Sequence, residues 1–228
     1  MTLHPIAVYH TRLSSKFGLP RQSGLAPLLE GEVELLPEYS HPDYIRGLEG
    51  FVYIWLLWEF SANKNATVRS TVRPPLLGGN KSLGVLATRS PYRPNPIGLS
   101  SVRLTHIEQL PGRIILHVTG ADLMDGTPVF DIKPYVEYAD SHVGVRSGFV
   151  DQHPWRCLDV VFADEEACPM SDADKETLRQ LLSLDPRPHY HDEPSRIYGM
   201  TFQGYDVKFR VEEGRLIVLE MVTAPQNG

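Results

Sequence analysis

The sequence predicts a mostly β protein, in which an all-β sandwich or barrel is followed by a small α+β part. Three observations lead to this class. Short apolar and β-branched runs recur along the first part of the chain, separated by turns rich in Gly and Pro. No long helical pattern lies between these runs. The alternation of strands and helices that a doubly wound α/β domain requires is also missing.

The predicted strands of the first part follow one another at short intervals. A helical turn is expected over 43–48, and Pro111-Gly112 is the predicted turn of a hairpin. The run 51–58 is the longest apolar run of the chain, and its aromatic and β-branched residues are typical of a buried strand. The strands are predicted at 4–10, 32–36, 51–60, 99–107, 113–119 and 128–132.

The pattern changes after about residue 140. Residues 172–184 have the periodicity of a helix, with leucines on one face and Ser171 as its N-cap. Residues 205–211 and 216–222 indicate two strands joined by a turn at 212–215. We therefore divide the chain into a first domain at 1–140, a linker at 141–170 and a small α+β domain at 171–228.

The composition is ordinary for a protein of the reducing cytoplasm. Hydrophobic residues make up 42% of the chain, and no apolar run is long enough to cross a bilayer. No apolar stretch follows the first basic residues, so we expect no signal peptide. The two cysteines, Cys157 and Cys168, match neither a metal-site spacing nor a disulfide framework. We therefore expect a cytoplasmic location and no bound metal.

The charge of the chain is unevenly distributed. Its net charge of −6 argues against a general nucleic-acid-binding protein, yet residues 60–107 contain no acidic residue. This segregation favours one positive face on an otherwise acidic body, with scattered solvated arginines as the alternative. The basic residues of this segment are Lys64, Arg69, Arg73, Lys81, Arg89, Arg93 and Arg103.

The segment 89–98, which reads Arg-Ser-Pro-Tyr-Arg-Pro-Asn-Pro-Ile-Gly, is the strongest local signal. Its prolines fix φ and remove backbone donors, which excludes a helix and a central strand. We expect a stiff loop that holds the guanidinium groups of Arg89 and Arg93 in fixed directions. Arg89 could clamp a carboxylate or a phosphate, and Tyr92 could stack on a base. The alternative is a stiffened connection with two exposed arginines.

Three other segments contain candidate ligand groups. Asp122 and Asp125 flank a turn and could hold a cation or accept hydrogen bonds from a ribose or an amino group, although an ordinary Asp-Gly turn explains them at least as well. The loop 20–24 could hold a ligand or simply connect two elements. His189 and His191 have no third metal ligand in view and are expected in a surface turn. Phosphate-binding glycine motifs and hydrolase or protease motifs are absent from the sequence.

Taken together, several segments resemble one family, the TsaA-like (TrmO family) tRNA methyltransferases. The resemblance extends from near the N-terminus to about residue 135 and resumes in the C-terminal domain. It implies a small β-barrel catalytic domain and a homodimer with the cofactor close to the subunit interface. It also implies methyl transfer from S-adenosylmethionine to N6 of threonylcarbamoyl-adenosine beside the anticodon. The segments are 20–22, 46–49, 71–75, 77–80, 87–90, 94–98, 122–128, 131–135 and 185–188.

The resemblance further implies which residues bind each ligand. We place the proline-rich loop directly after a barrel strand, as a wall of the cofactor pocket. Asp125 is the candidate base for the proton on N6, and the basic residues would bind phosphates of the anticodon loop. The cofactor-binding set is Arg21, Gln22, Ser23, Phe60, Ser61, Arg89, Leu99, Asp122, Leu123, Met124 and Asp125, and the RNA-binding set is Arg69, Arg73, Lys81, Arg93 and Lys133.

Two other functions stay open at this stage. The chain could be a non-enzymatic tRNA-binding module that uses the same basic face, or a methyltransferase that acts on a small molecule or a protein. Binding of S-adenosylmethionine separates the enzyme from the binding module. The basic segment favours RNA over a small substrate.

Overall fold

The computed structural model describes residues 2–13, 16–63, 66–153, 156–166, 168–187 and 195–224. Three residues named in the sequence analysis, Lys64, His189 and His191, lie outside these described residues. In the described ranges, no helix has both the length and the apolar character needed to span a membrane.

The described ranges contain twelve strands and four α-helices. The strands are β1 (Ala7–His10), β2 (Glu30–Leu35), β3 (Tyr53–Glu59), β4 (Thr71–Val72), β5 (Leu83–Gly84), β6 (Ile97–Leu110), β7 (Arg113–Thr119), β8 (Thr127–Pro134), β9 (Asp159–Phe162), β10 (Tyr198–Phe202), β11 (Tyr205–Glu212) and β12 (Arg215–Thr223). The helices are α1 (Pro42–Ile45), α2 (Glu137–Asp140), α3 (Phe149–Gln152) and α4 (Asp172–Ser183).

Six of the strands form a closed antiparallel barrel in the order β1-β2-β7-β6-β3-β8. Successive side chains point to opposite faces of a strand, so in β3 the residues Ile54, Leu56 and Trp58 point into the barrel and are buried. They pack with Tyr9 of β1 and with the inward residues of the other strands. The interior is therefore a packed core. The predicted class, a mostly β protein with a small barrel, is confirmed.

The C-terminal strands form a second sheet in the order β10-β11-β12-β9, in which β9 runs parallel to β12. Leu178, Leu181 and Leu182 of α4 are buried in the core beneath this sheet. The Ser171 hydroxyl accepts a hydrogen bond from the N–H of Asp174 at 3.2 Å. The helix therefore begins at the predicted N-cap.

The loop between β1 and β2 packs into this second core instead of the barrel core. Leu13, Ala26 and Leu29 are buried among side chains of α4 and the C-terminal sheet. The N–H of Leu28 donates to Oε1 of Gln180 in α4 at 3.2 Å. The C-terminal part of the chain therefore contacts and supports a loop that contains three predicted cofactor-binding residues.

Two strands of the second sheet are not predicted from the sequence. The four residues of β9 lie inside the predicted linker at 141–170, yet they pair with β12. A strand this short shows too few alternations for its period to stand out. The second unpredicted strand is β10, which pairs with β11. The division of the chain into domains stays a prediction.

The segment before the proline-rich loop also differs from the expectation. Only Leu83–Gly84 is a strand, and it pairs with β4 outside the barrel, whereas Val85–Ala87 form a 3-10 turn. The carbonyls of Val85 and Thr88 accept hydrogen bonds from the Arg93 guanidinium, so they are not available to a neighbouring strand. The prediction that the loop follows directly after a barrel strand is therefore wrong.

Candidate functional site

Three separate segments meet at one end of the barrel. Nη1 of Arg89, in the proline-rich loop, donates a hydrogen bond to Oε1 of Gln22 in the β1–β2 loop. The N–H of Gly24 donates to the carbonyl of Gly120 at 2.8 Å, which brings the β1–β2 loop beside the turn that contains Asp122. The predicted residues Gln22, Arg89 and Asp122, far apart in sequence, therefore form one cluster.

Asp122 is the half-buried anionic group of this cluster. Burial raises the pKa of its carboxyl above the usual value. Hydrogen bonds from the Ser100 hydroxyl and from backbone N–H groups, including that of Ser23, oppose this rise, as does the positive charge of Arg89. The cluster thus brings an exposed guanidinium near a half-buried carboxylate.

The Asp122 carboxylate is connected to the barrel core through two further residues. The Ser100 hydroxyl donates to Oδ1 of Asp122 and accepts from Nε1 of Trp58 at 2.9 Å. The Trp58 and Phe60 rings meet edge to face, with their centroids 4.5 Å apart. A Cβ atom at Gly98 would overlap the Trp58 indole, so the glycine leaves the space that this ring occupies.

Sequence reasoning misses Trp58 and Ser100, although it includes Gly98 in the segment 94–98. The available signal is the position of Ser100 in the predicted strand 99–107, where alternation with Val102 places it on the inward face. A polar residue at an inward position requires a hydrogen-bond partner. That partner, Asp122, lies 22 residues away along the chain and cannot be identified without the fold.

Arg21 connects the cluster to the C-terminal part of the chain. Its Nη2 donates to the main-chain carbonyl of Asp185 at 3.2 Å. Burial lowers the pKa of the guanidinium, and the nearby Asp185 charge partly opposes that shift. Asp185 also forms two hydrogen bonds, of 2.8 and 2.9 Å, with Arg187. One of the predicted motifs, at 185–188, thus contributes to the support of the β1–β2 loop.

Other members of the predicted cofactor set lie around this cluster. The N–H of Phe60 donates to the carbonyl of Pro96 at 3.0 Å, which holds the end of β3 against the proline-rich loop. Ser61 follows directly, in a 3-10 turn. Leu99 is 52% exposed and lies on the outer face of β6.

The predicted residues after Asp122 point in different directions. The Leu123 side chain is fully buried in the barrel core, so only its backbone could reach a ligand. The Met124 carbonyl accepts a hydrogen bond of 2.7 Å from the Thr127 hydroxyl. The Asp125 carboxylate accepts from the N–H of Thr11 at 3.0 Å and lies 3.5 Å from Nδ1 of His10.

Asp125 also borders an open cleft of about 570 Å³. Glu32 and His117, both on the outer surface of the barrel, line the same cleft. The contacts of Asp125 thus connect it with β1 and with this outer surface, whereas those of Asp122 connect it with Arg89 and the barrel interior. The structure separates the two carboxylates that the sequence groups in one turn.

The predicted RNA-binding residues differ in how far their charged groups already contact other residues of the protein. Arg73 and Lys81 are exposed, and the Arg69 guanidinium lies 4.8 Å from the centre of the Tyr92 ring. Lys133 is also exposed but forms an ion pair of 2.9 Å with Asp131.

Arg93 differs from the other members of that set because its donors face its own loop. Nε donates to the carbonyl of Ser90 at 3.1 Å, and Nη2 donates to those of Val85 and Thr88 at 3.3 and 2.5 Å. These donors hold the loop together and are therefore not available to a phosphate. Its assignment to RNA stays a prediction that rests on Nη1 alone.

Two protein-family models match the chain one after the other. The model described as the tRNA-methyltransferase O N-terminal domain matches residues 8–141. The model described as the TrmO C-terminal domain matches residues 157–224.

Proteins of similar sequence extend over nearly the whole chain. The tRNA (adenine(37)-N6)-methyltransferase of Escherichia coli K12 is 37% identical over 216 residues, which are 91% of this chain and 92% of that protein. A putative S-adenosylmethionine-dependent methyltransferase of Pseudomonas aeruginosa, RcsF, is 41% identical over 223 residues, 95% of each chain.

A similar structure has also been solved. The crystal structure of TrmO from Pseudomonas aeruginosa superimposes with a TM-score of 0.80 at 36% sequence identity. The match covers 98% of this chain and 97% of the other, so it includes the barrel and the C-terminal sheet.

Proposed function

Because the chain belongs to the tRNA-methyltransferase O family, an enzyme family whose two domain models match it in order, we propose that it methylates N6 of adenosine 37 in tRNA. The methyl donor is S-adenosylmethionine, the donor named for the Pseudomonas relative. The accepting nucleoside is N6-threonylcarbamoyladenosine in the anticodon loop. The observation that carries this proposal is the meeting of Gln22, Arg89 and half-buried Asp122 at one end of the barrel.

The chemistry of this cluster fits the proposed cofactor. The amino-acid end of S-adenosylmethionine carries a carboxylate and an ammonium group, and Arg89 and Asp122 are their charge complements. Gln22 orients Arg89, and the backbone at Ser23 is a donor to Asp122. The aromatic pair Trp58 and Phe60 and the backbone of 122–124 would bound the remainder of the cofactor, with Arg21, Ser61 and Leu99 at its edge. When bound, S-adenosylmethionine supplies a methyl group activated by a sulfonium.

The protein's own contribution to this reaction is mainly positioning. In-line displacement requires the accepting nitrogen, the methyl group and the sulfur on one line, and rigid surroundings lower the entropic part of that barrier. The accepting nitrogen must also lose a proton. A ureido N–H is more acidic than that of a simple amine, so Asp125 or water could accept this proton.

The tRNA would lie along the exposed basic residues between β3 and β6. Arg69, Arg73 and Lys81 would contact phosphates of the anticodon loop, and Tyr92 beside Arg69 provides a surface for stacking. Nη1 of Arg93 would add to this surface, whereas Lys133, opposite Trp55 towards the other end of the barrel, would contact the tRNA separately. We further propose a cytoplasmic homodimer in which the cofactor lies close to the subunit interface and the exposed Leu99 faces it.

The test uses tRNA from a strain that lacks the endogenous methylating enzyme. We expect the protein and S-adenosylmethionine to convert N6-threonylcarbamoyladenosine into its N6-methyl derivative, detected by mass spectrometry of the nucleosides. tRNA without the threonylcarbamoyl group is the matched substrate control. Arg89→Ala should weaken cofactor binding about tenfold or more, as the loss of one partner of a charged contact does.

The outcomes separate the proposed function from its alternatives. Salt-dependent tRNA binding without methyl transfer would indicate a binding module. Cofactor binding with methyl transfer only to small molecules would indicate a different methyltransferase. Absence of cofactor binding in calorimetry by folded protein would contradict the proposal altogether.

A further inference from the structure

The Ser100 hydroxyl occupies a fixed place in the barrel interior. Ser100 is 1% exposed, and among the described residues only Thr127 is another buried polar residue of the barrel. An indole N–H can only donate, so the hydroxyl must accept the hydrogen bond from Nε1 of Trp58. Its single proton is then directed to Oδ1 of Asp122. The chain of hydrogen bonds has one possible direction, from Trp58 through Ser100 to the carboxylate.

Asp122 depends on such a donor. Burial disfavours its charged form, and the Ser100 hydroxyl is the strongest influence that opposes this. Backbone N–H groups and Arg89 contribute less. Without the hydroxyl, one carboxylate oxygen would lose its partner within the barrel wall.

The other end of the chain is rigid. Trp58 is 7% exposed, its ring contacts Phe60, and Gly98 on the neighbouring strand leaves the space that the indole requires. Ser100 lies two residues after Gly98 on β6, so both ends of the Trp58–Ser100 contact are set by the pairing of β3 with β6. The direction of the hydroxyl is therefore determined by the barrel itself.

We propose that Ser100 is a positioning residue for methyl transfer, which together with Trp58 holds the Asp122 carboxylate in one orientation as the acceptor for the cationic amino group of the cofactor. This inference rests on the proposed function. Ser100 itself need not touch the cofactor, because it acts through Asp122. A merely structural serine would affect folding stability but not the pH dependence of cofactor binding.

The titration of Asp122 provides the distinguishing readout. Among the described residues, the ionisable groups that act with it are Arg89 from the proline-rich loop and Tyr9 from β1, and burial raises the pKa of the Tyr9 hydroxyl, further from the acid range. Asp125, the next carboxylate of the same turn, acts on Tyr9 as well. Loss of cofactor affinity on acidification should therefore follow protonation of Asp122, and removal of the Ser100 donor should move that loss to higher pH.

The experiment measures the Kd of S-adenosylmethionine by calorimetry from pH 5 to pH 8, with thermal melting of each variant. Ser100→Ala should raise Kd about tenfold or more at neutral pH, the size expected for a hydrogen bond to a charged group. It should also shift to higher pH the loss of cofactor affinity that occurs on acidification. Trp58→Phe should move it in the same direction by less. Ser100→Thr, which keeps the hydroxyl, should restore the wild-type profile. Ser101→Ala, the same change on the opposite face of β6, is the matched control.

Each outcome decides the matter. Folded Ser100→Ala with the wild-type Kd and pH profile would overturn the inference, as would a loss of affinity that Ser100→Thr does not recover or that Ser101→Ala reproduces. Should Ser100→Ala fail to fold, the pH profile of Trp58→Phe decides in the same way. A wild-type protein that binds no cofactor would overturn the proposed function, whereas binding by the wild type with no effect of these variants overturns this inference alone.

Discussion

At the scale of single residues, the arrangement around Asp122 depends on the absence of one side chain. Trp58 can donate to Ser100 only because Gly98 leaves room for the indole. Gly98 has an ordinary strand conformation, so close packing, and not an unusual φ, is the reason for the glycine. Any larger residue would have to displace the ring or the strand.

Gly98→Ala should therefore lower the free energy of unfolding by about 1–3 kcal/mol, the usual cost of overpacking a core. Cofactor affinity should fall with it, because the displaced indole no longer orients the Ser100 hydroxyl. Gly50→Ala is a suitable control, since a Cβ there meets no atom within 4 Å. Thermal melting and calorimetry measure both effects, and wild-type behaviour of Gly98→Ala would contradict the packing argument.

Residue types predict which side chains belong to the candidate site better than they predict the hydrogen bonds that connect those side chains. The sequence singles out Arg89, Gln22 and Asp122, and the fold brings these three together. It cannot separate Asp122 from Asp125, because a difference of three residues in a turn does not predict which carboxylate enters the barrel. The sequence does not assign Ser100 and Trp58 to the site, because a single serine or tryptophan in a strand forms no recognisable motif.

At the scale of elements, the proline-rich loop is stiff for two reasons. Its prolines restrict the backbone, and the Arg93 guanidinium holds three carbonyls from both sides of residue 89. The sequence predicts the first reason but assigns Arg93 to RNA. Arg89 and Arg93 thus have different tasks, since one faces the cluster at Asp122 and the other supports the loop that presents it.

Arg93→Ala should weaken cofactor binding and lower the free energy of unfolding by about 2 kcal/mol, because three partly buried hydrogen bonds from a charged donor are lost. Arg93→Lys should recover only part of this loss, since an ammonium cannot reproduce the planar guanidinium. Calorimetry and denaturant unfolding provide the measurements. A variant that binds the cofactor normally and loses only tRNA affinity would favour the assignment of Arg93 to RNA instead.

Elements with clear periodicity are predicted well, and short ones are not. The barrel strands and α4 have alternation or helical spacing strong enough to place them, and Ser171 fixes the start of the helix. The strand β9 and the turn at 85–87 follow from tertiary contacts, namely pairing with β12 and hydrogen bonds to Arg93. Such contacts between distant segments produce no local sequence pattern.

At the scale of the whole molecule, the two cores are connected by the β1–β2 loop. Its apolar residues lie in the C-terminal core, whereas its polar residues 21–23 lie at the end of the barrel. Arg12 and Arg21 add contacts to Asp174 and to the carbonyl of Asp185, both in the C-terminal part. Among the described residues, the C-terminal part thus contacts the loop that contains residues 21–23 through its core, Asp174 and Asp185.

Leu181→Ala tests this connection from a distance. Leu181 is 1% exposed in the C-terminal core, and its truncation should cost about 2–5 kcal/mol of unfolding free energy. We expect weaker cofactor binding as well, because the packing of the β1–β2 loop becomes looser. Val222→Ala, at a 43% exposed position of β12 in the C-terminal sheet, is the control. If Leu181→Ala is destabilised yet binds the cofactor normally, the loop is positioned by the barrel alone.

The charge segregation of the chain leads to a prediction for tRNA binding. Arg73 and Lys81 are exposed and lie in the acid-free segment, so each should displace a counterion when it meets a phosphate. Replacing either by Ala should lower the slope of log K against log salt concentration by about 0.7, the value for single-stranded nucleic acid. Filter binding at several salt concentrations measures the slope, while the Kd of the cofactor should not change. Equal slopes for variants and wild type would exclude these two residues from the RNA surface.

The packing of the β1–β2 loop has a consequence for the order in which the site is completed during protein synthesis. Every residue proposed to hold the cofactor precedes position 126, so all of them leave the ribosome before the C-terminal sheet is made. Until then, Leu13, Ala26 and Leu29 lack the side chains of α4 and β10–β12 against which they pack, because these elements are translated last. A chain that stops early contains each proposed ligand residue but lacks the core that shapes their loop. Cofactor binding would thus distinguish complete chains from truncated ones.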